Sequence, residues 1–273
     1  MNTIDVATWE ECEQHVKELR KTDPLMLFRG QGDADWRLTT TLERAGQEKM
    51  PFMSYFEVIN RFQPEIETFT EMTWDLPSYR EVIGLVKDPG FLDGLGGLSV
   101  GSLYPYLLYL RHHRFPSPLL DWTRSPYVAA FFAFRQKPRS KHSGKMSIYV
   151  FSEMPNGIKG THSNQARIKR MGPYVRSHKR HFLQHSDYTI CVQFDNHWVF
   201  QPHEDVFQLN HPSWDLLTKI NIPATERTRA LKVLDEHNLN AFSLFGSEDE
   251  LMETMAFRAF DLRKAAFGVS EVD

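Results

Sequence analysis

Two charged residues stand beside strongly apolar segments of this sequence, where a charge needs a partner. Arg29 follows the apolar run 25–28 and precedes a Gly-Gln-Gly triplet. Asp121 lies between a Leu-Leu pair and a Trp-Thr pair. A charge that leaves water must be compensated by an ion pair, by hydrogen bonds or by a ligand. Arg29 and Asp121 are therefore the first candidates for chemistry.

Each of these residues has a functional and a structural interpretation. The guanidinium fork of Arg29 suits an anionic ligand, and the adjacent glycines would permit its close approach. Alternatively, Arg29 is a structural residue that pairs with an internal carboxylate such as Asp121. Asp121 in turn is either a catalytic group or the anchor of a loop. The sequence leaves these interpretations open.

A local basic stretch indicates a partner that carries phosphate. The chain as a whole is close to neutral, with 32 Lys and Arg against 35 Asp and Glu, yet no acidic residue occurs between Met154 and Ser186. A basic surface on a near-neutral protein suggests a nucleotide or nucleic acid. The alternative is an ordinary solvated loop. The residues expected to contact nucleic acid are Lys169, Arg170, Lys179 and Arg180.

Composition and missing motifs exclude several classes of protein. The 273 residues are 41% hydrophobic and 25% charged, which is typical of a globular chain and not of a fibrous or disordered one. Neither a run of 18 apolar residues nor a secretory signal is present, so we expect a cytoplasmic protein without membrane contact. The histidines lack metal-ligand spacing, and we predict no metal site. The phosphate-binding GxxxxGK loop and the GxGxxG, GxSxG and HExxH motifs are absent.

Hydrophobic periodicity distributes the chain over both helices and strands. Thr8 and Glu11 form a capping box before an amphipathic helix, and Ser125-Pro126 begins a helix that is apolar nearly all round. Further helices are predicted at 51–70, 102–112, 226–237 and 247–260, and strands at 25–28, 146–151, 188–194, 197–200 and 219–222. Because helices and strands do not alternate strictly, we predict a single α+β domain, with a mixed or antiparallel sheet and flanking helices.

Three blocks of residues resemble the FRG domain family. The first is Phe28-Arg29-Gly30 with Gln31, and the second joins His112 to Leu119-Leu120-Asp121-Trp122-Thr123 and Ser125-Pro126. A third, looser block comprises Arg180, Gln184, Ser186 and Tyr188. The resemblance implies an N-terminal helix (1–24), an FRG domain (25–255) and a C-terminal helix end and tail (256–273). Where relatives have Gln-His-x-Gly, this chain has Arg111-His112-His113-Arg114.

The order of these blocks is similar to that in ADP-ribosyltransferases, which implies an ADP-ribosyltransferase-like fold and NAD as the bound molecule. By this likeness, Arg29 binds the NAD phosphate or the adjoining ribose, Thr123 or Ser125 supports the nicotinamide ribose, and Gln184 bonds that ribose. The likeness also suggests that Gly30, Gln31, His112 and Tyr188 contact NAD.

The cationic transition state of such a reaction needs a nearby negative charge. Gln184 carries none, so Asp121 or Glu204 would have to supply it. Whether Gln184 or Glu204 is the third catalytic residue remains open.

The resemblance predicts an ADP-ribosyltransferase or NAD glycohydrolase of bacterial or phage toxin or defence type. Nucleic acid or a nucleotide is the expected acceptor, and an antitoxin or regulator could control the activity. One alternative is a non-catalytic module that binds a nucleotide or nucleic acid. Another is an adaptor that contacts a protein through its acidic last helix. Salt separates these two alternatives, because phosphate binding weakens steeply with ionic strength.

Overall fold

The computed structural model describes residues 1–88, 91, 102–137, 144–155, 159, 165–209, 211 and 213–262. The predicted glycine-rich loop before residue 98, the middle of the basic linker after Arg135 and the tail beyond Leu262 lie outside the described residues.

Eight strands of the described chain form one mixed sheet. They are β1 (Asn2–Asp5), β2 (Leu27–Gln31), β3 (Leu119–Thr123), β4 (Lys145–Ser152), β5 (Arg167–Arg170), β6 (Ser186–Asp195), β7 (His197–Phe200) and β8 (Leu216–Pro223). Their order is β1-β8-β4-β2-β3-β6-β5, and β7 pairs with β6. Strands β1 and β8 are parallel, whereas the other pairs are antiparallel. The predicted α+β class with a mixed sheet is confirmed.

Helices cover both faces of this sheet. They are α1 (Trp9–Thr22), α2 (Thr41–Arg44), α3 (Phe52–Thr70), α4 (Tyr79–Leu85), α5 (Leu103–His112), α6 (Pro126–Phe134), α7 (Lys179–Leu183), α8 (His203–Gln208), α9 (Arg227–Glu236), α10 (Ala241–Phe245) and α11 (Glu248–Ala256). One core joins α3 and α5 to β3, β6 and β7. A second joins α1, α6, α9 and α10 to β2, β4 and β8. A third packs Val206 and Phe207 of α8 against strand residues that include Trp122 and Phe151. Their burial provides the main driving force for the fold.

Helix α6 begins as the sequence predicts. Ser125 is its N-cap, with Oγ accepting a hydrogen bond from the backbone N–H of Val128 at 3.4 Å, and Pro126 occupies the first turn. Because the helix is apolar nearly all round, it is buried on most sides, and Ala129 and Phe134 are fully covered. The cap at Thr8 likewise forms, with Oγ1 accepting from the Glu11 N–H at 3.2 Å.

Gly30 is the point where helix α6 crosses strand β2. A Cβ at this position would lie 1.9 Å from the carbonyl oxygen of Ala129. No side chain fits that distance, so the fold requires glycine here. A role in ligand approach was predicted for this glycine, and the structure gives it a packing role as well.

Two polar residues lie inside strands where the sequence predicts strand ends or loops. Strand β2 continues past Arg29, because Arg29, Gly30 and Gln31 pair in register with Tyr149, Ile148 and Ser147 of β4. Leu119–Thr123, for which no strand was predicted, is strand β3 because it pairs residue for residue with β6, so Asp121 is not the anchor of a loop, which was one of its two interpretations. Both candidates are therefore held by rigid backbone in the middle of the sheet.

Candidate functional site

A pocket of about 920 Å³ lies where β2 and β3 run side by side. Its lining comes from β2, the segment 32–44, the end of α5, β3, α6, α7, β6 and α10. The volume lies within the range of sites that hold small molecules and cofactors. The residues with a predicted role in chemistry or binding that line it are Arg29, Gly30, Gln31, His112, Asp121, Thr123, Arg180, Gln184 and Tyr188.

Arg29 presents its side chain to this pocket from the middle of β2. Its Nη1 donates a hydrogen bond of 2.7 Å to the backbone carbonyl oxygen of Asp121. Its Nε is buried and has no hydrogen-bond partner among the described residues. Burial lowers the pKa of Arg29 to about 10, which leaves the guanidinium protonated at neutral pH. The Arg29 guanidinium is thus held in place by Nη1, while its Nε still has a hydrogen bond to donate.

The carboxylate of Asp121 is held by Arg111 from the last turn of α5. Arg111 Nε donates to Oδ1 at 3.1 Å, and Arg111 Nη2 donates to Oδ2. This two-point geometry orients the carboxylate. The Asp121 side chain nevertheless remains 39% exposed, so one side of the carboxylate stays open to the pocket. The ion pair considered between Arg29 and the Asp121 side chain does not form, because Arg29 contacts the backbone instead.

Thr123 and Gln184 line the pocket next to each other. Thr123 Oγ1 donates to the backbone carbonyl oxygen of Gln184 at 2.7 Å and accepts from the Ser125 N–H at 3.1 Å. The Gln184 amide donates to the Leu244 carbonyl oxygen at 3.2 Å, and its Oε1 accepts no hydrogen bond within the described part of the chain. Ser125 itself caps α6 and does not line the pocket. Gln184 therefore has an acceptor available for a ligand.

Tyr188 and His112 form a neutral polar pair on the pocket wall. The Tyr188 hydroxyl lies 3.0 Å from His112 Nε2 and 3.4 Å from His181 Nδ1. Burial lowers the pKa of His112 to about 4, so its ring is uncharged at neutral pH. Burial also raises the pKa of Tyr188, so its phenol stays protonated. The pair can exchange hydrogen bonds with a ligand without adding charge.

Gln31 lines the pocket, whereas Glu204 does not. Gln31 Nε2 donates to the Arg37 carbonyl oxygen at 3.2 Å, while its Oε1 is buried with no partner in the described chain. Glu204 lies on α8 and accepts a hydrogen bond of 2.6 Å from Arg37 Nε. Arg37 lines the pocket and Glu204 does not. Glu204 thus reaches the pocket only through Arg37.

The four basic residues expected to contact nucleic acid fall in different environments. Arg170 donates to the Asp187 carboxylate from Nε at 2.9 Å and from Nη2 at 2.6 Å, and Asp187 is 0% exposed. Lys169 lies on β5 and Lys179 is exposed at the start of α7. Of the four, Arg180 alone lines the pocket. Its Nε is buried without a partner, and its guanidinium lies 5.3 Å from the centre of the Phe245 ring.

The pocket also contains arginines for which no role was predicted from the sequence. Arg37, Arg44, Arg111 and Arg114 line it together with Arg29 and Arg180. Arg37 and Arg111 are paired with Glu204 and Asp121, whereas the other four have no ion pair within the described ranges. The replacement of the family's Gln-His-x-Gly by Arg111-His112-His113-Arg114 was the available signal for two of them. Arg44 has no such signal.

No group of three or more His, Cys, Asp or Glu that could hold a metal ion occurs in the described ranges. In the same residues, no helix has both the length and the apolar character needed to span a bilayer.

Residues 25–142 match a family model, that of the FRG domain. This range contains Arg29 and Asp121 but ends before Gln184 and Tyr188. Comparison with curated proteins and with solved structures gave no match.

Proposed function

This chain contains an FRG domain, and from that premise we propose that it binds NAD in the arginine-lined pocket and cleaves the nicotinamide glycosidic bond. The observation that carries the proposal is that Arg29 and Asp121 are neighbours in the pocket. A partly buried guanidinium, whose buried Nε has no partner in the described chain, lies beside a carboxylate that is open to a pocket of about 920 Å³. A cation for phosphate and an anion for an oxocarbenium-like transition state are thus neighbours.

Arg29 and Arg180 are the natural partners of the pyrophosphate. Both are partly buried, both line the pocket, and both carry an unpartnered Nε. Guanidinium groups bind phosphate oxygens with short, charge-assisted hydrogen bonds. The open Oε1 of Gln184 can accept a bond from a ribose hydroxyl, and Thr123 fixes the backbone of Gln184. These contacts would hold the dinucleotide with its nicotinamide ribose near Asp121.

The reaction balances with NAD and one oxygen nucleophile, either water or an acceptor, as the only reactants. The bond between ribose C1′ and the nicotinamide nitrogen breaks, and its electron pair stays with the ring, so neutral nicotinamide leaves. The Asp121 carboxylate stabilises the positive charge that develops at C1′. The oxygen of water or of an acceptor forms the new bond to C1′, and its proton passes to Asp121 and then to solvent. The products are nicotinamide, ADP-ribose or its adduct, and one proton.

The fate of ADP-ribose distinguishes two versions of this activity. With water the protein is an NAD glycohydrolase. With nucleic acid or a nucleotide as acceptor it is an ADP-ribosyltransferase. Either activity would suit a cytoplasmic toxin or a bacterial or phage defence protein, because it consumes NAD or modifies an essential molecule. An antitoxin or regulator would then control it.

One contact favours a second candidate, a binding module without catalysis. Both oxygens of Asp121 accept hydrogen bonds from Arg111, and this pair neutralises the charge that the reaction needs. In that case Arg29 and the other arginines would hold a nucleotide or nucleic acid, and Asp121 would only orient Arg111. Turnover separates the two candidates, since both predict binding.

The test is to incubate the protein with NAD labelled on its adenylate, in the presence of DNA, RNA and protein acceptors. We expect nicotinamide release that is lost in Arg29→Gln. Arg20→Gln is the matched control, because Arg20 also donates to a backbone carbonyl, that of Arg124 at 3.0 Å, but lies outside the pocket. Binding without release would favour the binding module. The absence of both would refute the proposal.

A further inference from the structure

Most arginines of the pocket have no ion pair. Six arginines line it. Arg37 is paired with Glu204 and Arg111 with Asp121, whereas Arg29, Arg44, Arg114 and Arg180 have no ion pair among the described residues. His112 adds no charge at neutral pH, because burial lowers its pKa to about 4.

The unpaired arginines fall into two groups by depth. Arg29 and Arg180 are partly buried, and we call this pair the floor, whereas Arg44 and Arg114 are exposed, and we call this pair the rim. Arg44 is held by a hydrogen bond of 2.7 Å from its Nη1 to the Thr39 carbonyl oxygen. Its pKa is lowered by partial burial and then by the nearby cation of Arg111. Arg44 therefore lies in an environment that favours the arrival of an anion.

Buried polar atoms independently indicate that a ligand belongs here. Arg29 Nε, Arg180 Nε and Gln31 Oε1 are all buried, all belong to pocket-lining residues, and all lack a hydrogen-bond partner within the described chain. Unmade hydrogen bonds of buried groups are costly, and a ligand that makes them is correspondingly stabilised.

NAD alone would not engage all four arginines that lack an ion pair. If its two phosphates lie against Arg29 and Arg180 on the floor, Arg44 and Arg114 are left without an anion. A phosphomonoester carries close to two negative charges at neutral pH.

We propose that Arg44 and Arg114 form a second phosphate site on the rim, which binds a phosphomonoester of the substrates. The inference rests on the proposed function, because it assumes that the dinucleotide pyrophosphate occupies the floor. Such a phosphate has two sources: an additional phosphate on the dinucleotide, as in NADP, or the terminal phosphate of a nucleic acid acceptor. The rim recognises the same chemical group in both.

The experiment measures four dissociation constants for the wild type and for the double variant Arg44→Gln/Arg114→Gln. The ligands are NAD, NADP, a 5′-phosphorylated oligonucleotide and the same oligonucleotide without its phosphate. In the wild type we expect at least one phosphorylated ligand to bind about tenfold more tightly than its unphosphorylated counterpart, which corresponds to about 1.4 kcal/mol. The double variant should lose that difference and keep its affinity for NAD.

Arg61→Gln is the control for a change of net charge, because Arg61 is exposed on α3 and lies outside the pocket. It should leave all four constants unchanged. If the double variant is unstable, competition on the wild type replaces it: inorganic phosphate should displace the phosphorylated ligand at concentrations that leave bound NAD in place.

Three outcomes decide the question. Equal affinity for phosphorylated and unphosphorylated ligands in the wild type overturns the rim site. A double variant that weakens NAD as much as NADP also overturns it, because Arg44 and Arg114 would then serve the pyrophosphate. If the phosphorylated oligonucleotide binds through Arg44 and Arg114 but NAD does not bind at all, the rim site is supported and the proposed function is refuted.

Discussion

Arg29 donates a hydrogen bond of 2.7 Å to the backbone carbonyl oxygen of Asp121, and not to its carboxylate. Strands β2 and β3 are neighbours in the sheet, which brings the two residues together although they are far apart in sequence. The carboxylate is left to Arg111 and to the pocket. The backbone and the side chain of Asp121 therefore have separate roles. The backbone carbonyl holds Arg29 in place, while the carboxylate of Asp121 remains available for chemistry.

This separation predicts the behaviour of Asp121→Asn. The substitution keeps the carbonyl that Arg29 uses and removes only the negative charge. We expect NAD binding to persist and the rate of nicotinamide release to fall by about a hundredfold or more. Asp35→Asn is the control, because Asp35 is an exposed carboxylate on the same pocket. An unchanged rate in Asp121→Asn would remove Asp121 from the mechanism.

The crossing of β2 and α6 predicts a large loss of stability in Gly30→Ala. The added Cβ would lie 1.9 Å from the Ala129 carbonyl oxygen, so strand and helix must separate. We expect a decrease of about 1–3 kcal/mol or more in the free energy of unfolding, measured by chemical denaturation. Gly84→Ala on α4 is the control, because its Cβ would have no atom within 4 Å. Equal stability of the two variants would show that the crossing is loosely packed.

The ion pair between Arg170 and Asp187 predicts that Arg170 is structural. Arg170→Ala would leave the fully buried Asp187 without its cation, and we expect a loss of about 3–5 kcal/mol in the free energy of unfolding. Lys179→Ala, at an exposed position, should change it by less than about 0.5 kcal/mol.

Gel shifts that test nucleic acid binding are therefore best made with Lys169, Lys179 and Arg180 replaced and Arg170 retained. Undiminished retention of DNA and RNA would assign the basic stretch to ordinary solvated surface.

A normal melting curve for Arg170→Ala would mean that Asp187 is stabilised in another way.

Buried His203 predicts a pH dependence of stability. Burial lowers its pKa to about 3, whereas an unfolded chain binds the proton below about pH 6.5. Between these values the unfolded state carries more protons, so stability falls as the pH is lowered from about 6.5 to about 3. His112, with its pKa lowered to about 4, contributes over part of the same window.

His203→Gln should reduce the slope of unfolding free energy against pH by up to about 1.4 kcal/mol per pH unit. His15→Gln, at an exposed position of α1, should leave the slope unchanged. Denaturant unfolding between pH 4 and 7 provides the measurement. A wild-type slope that survives in His203→Gln would assign the effect to other groups.

Local signals predicted the elements that depend on neighbouring residues. The caps at Thr8 and Ser125, the buried helix α6 and the hairpin at Asn196 each depend on a few consecutive residues. Elements without a local apolar pattern were missed. Strand β1, with the sequence Asn-Thr-Ile-Asp, forms because it pairs with β8, more than two hundred residues away.

The α+β class, the FRG domain and the two charged residues among apolar neighbours could be predicted from the sequence, because each depends on residue type and short-range order. The partners of those two charges became known from the folded arrangement alone. The contact of Arg29 with a carbonyl, the hold of Arg111 on Asp121 and the placement of Arg44 and Arg114 all follow from the order of strands and helices. That order depends on burial of apolar surface between distant segments, which a local pattern does not encode.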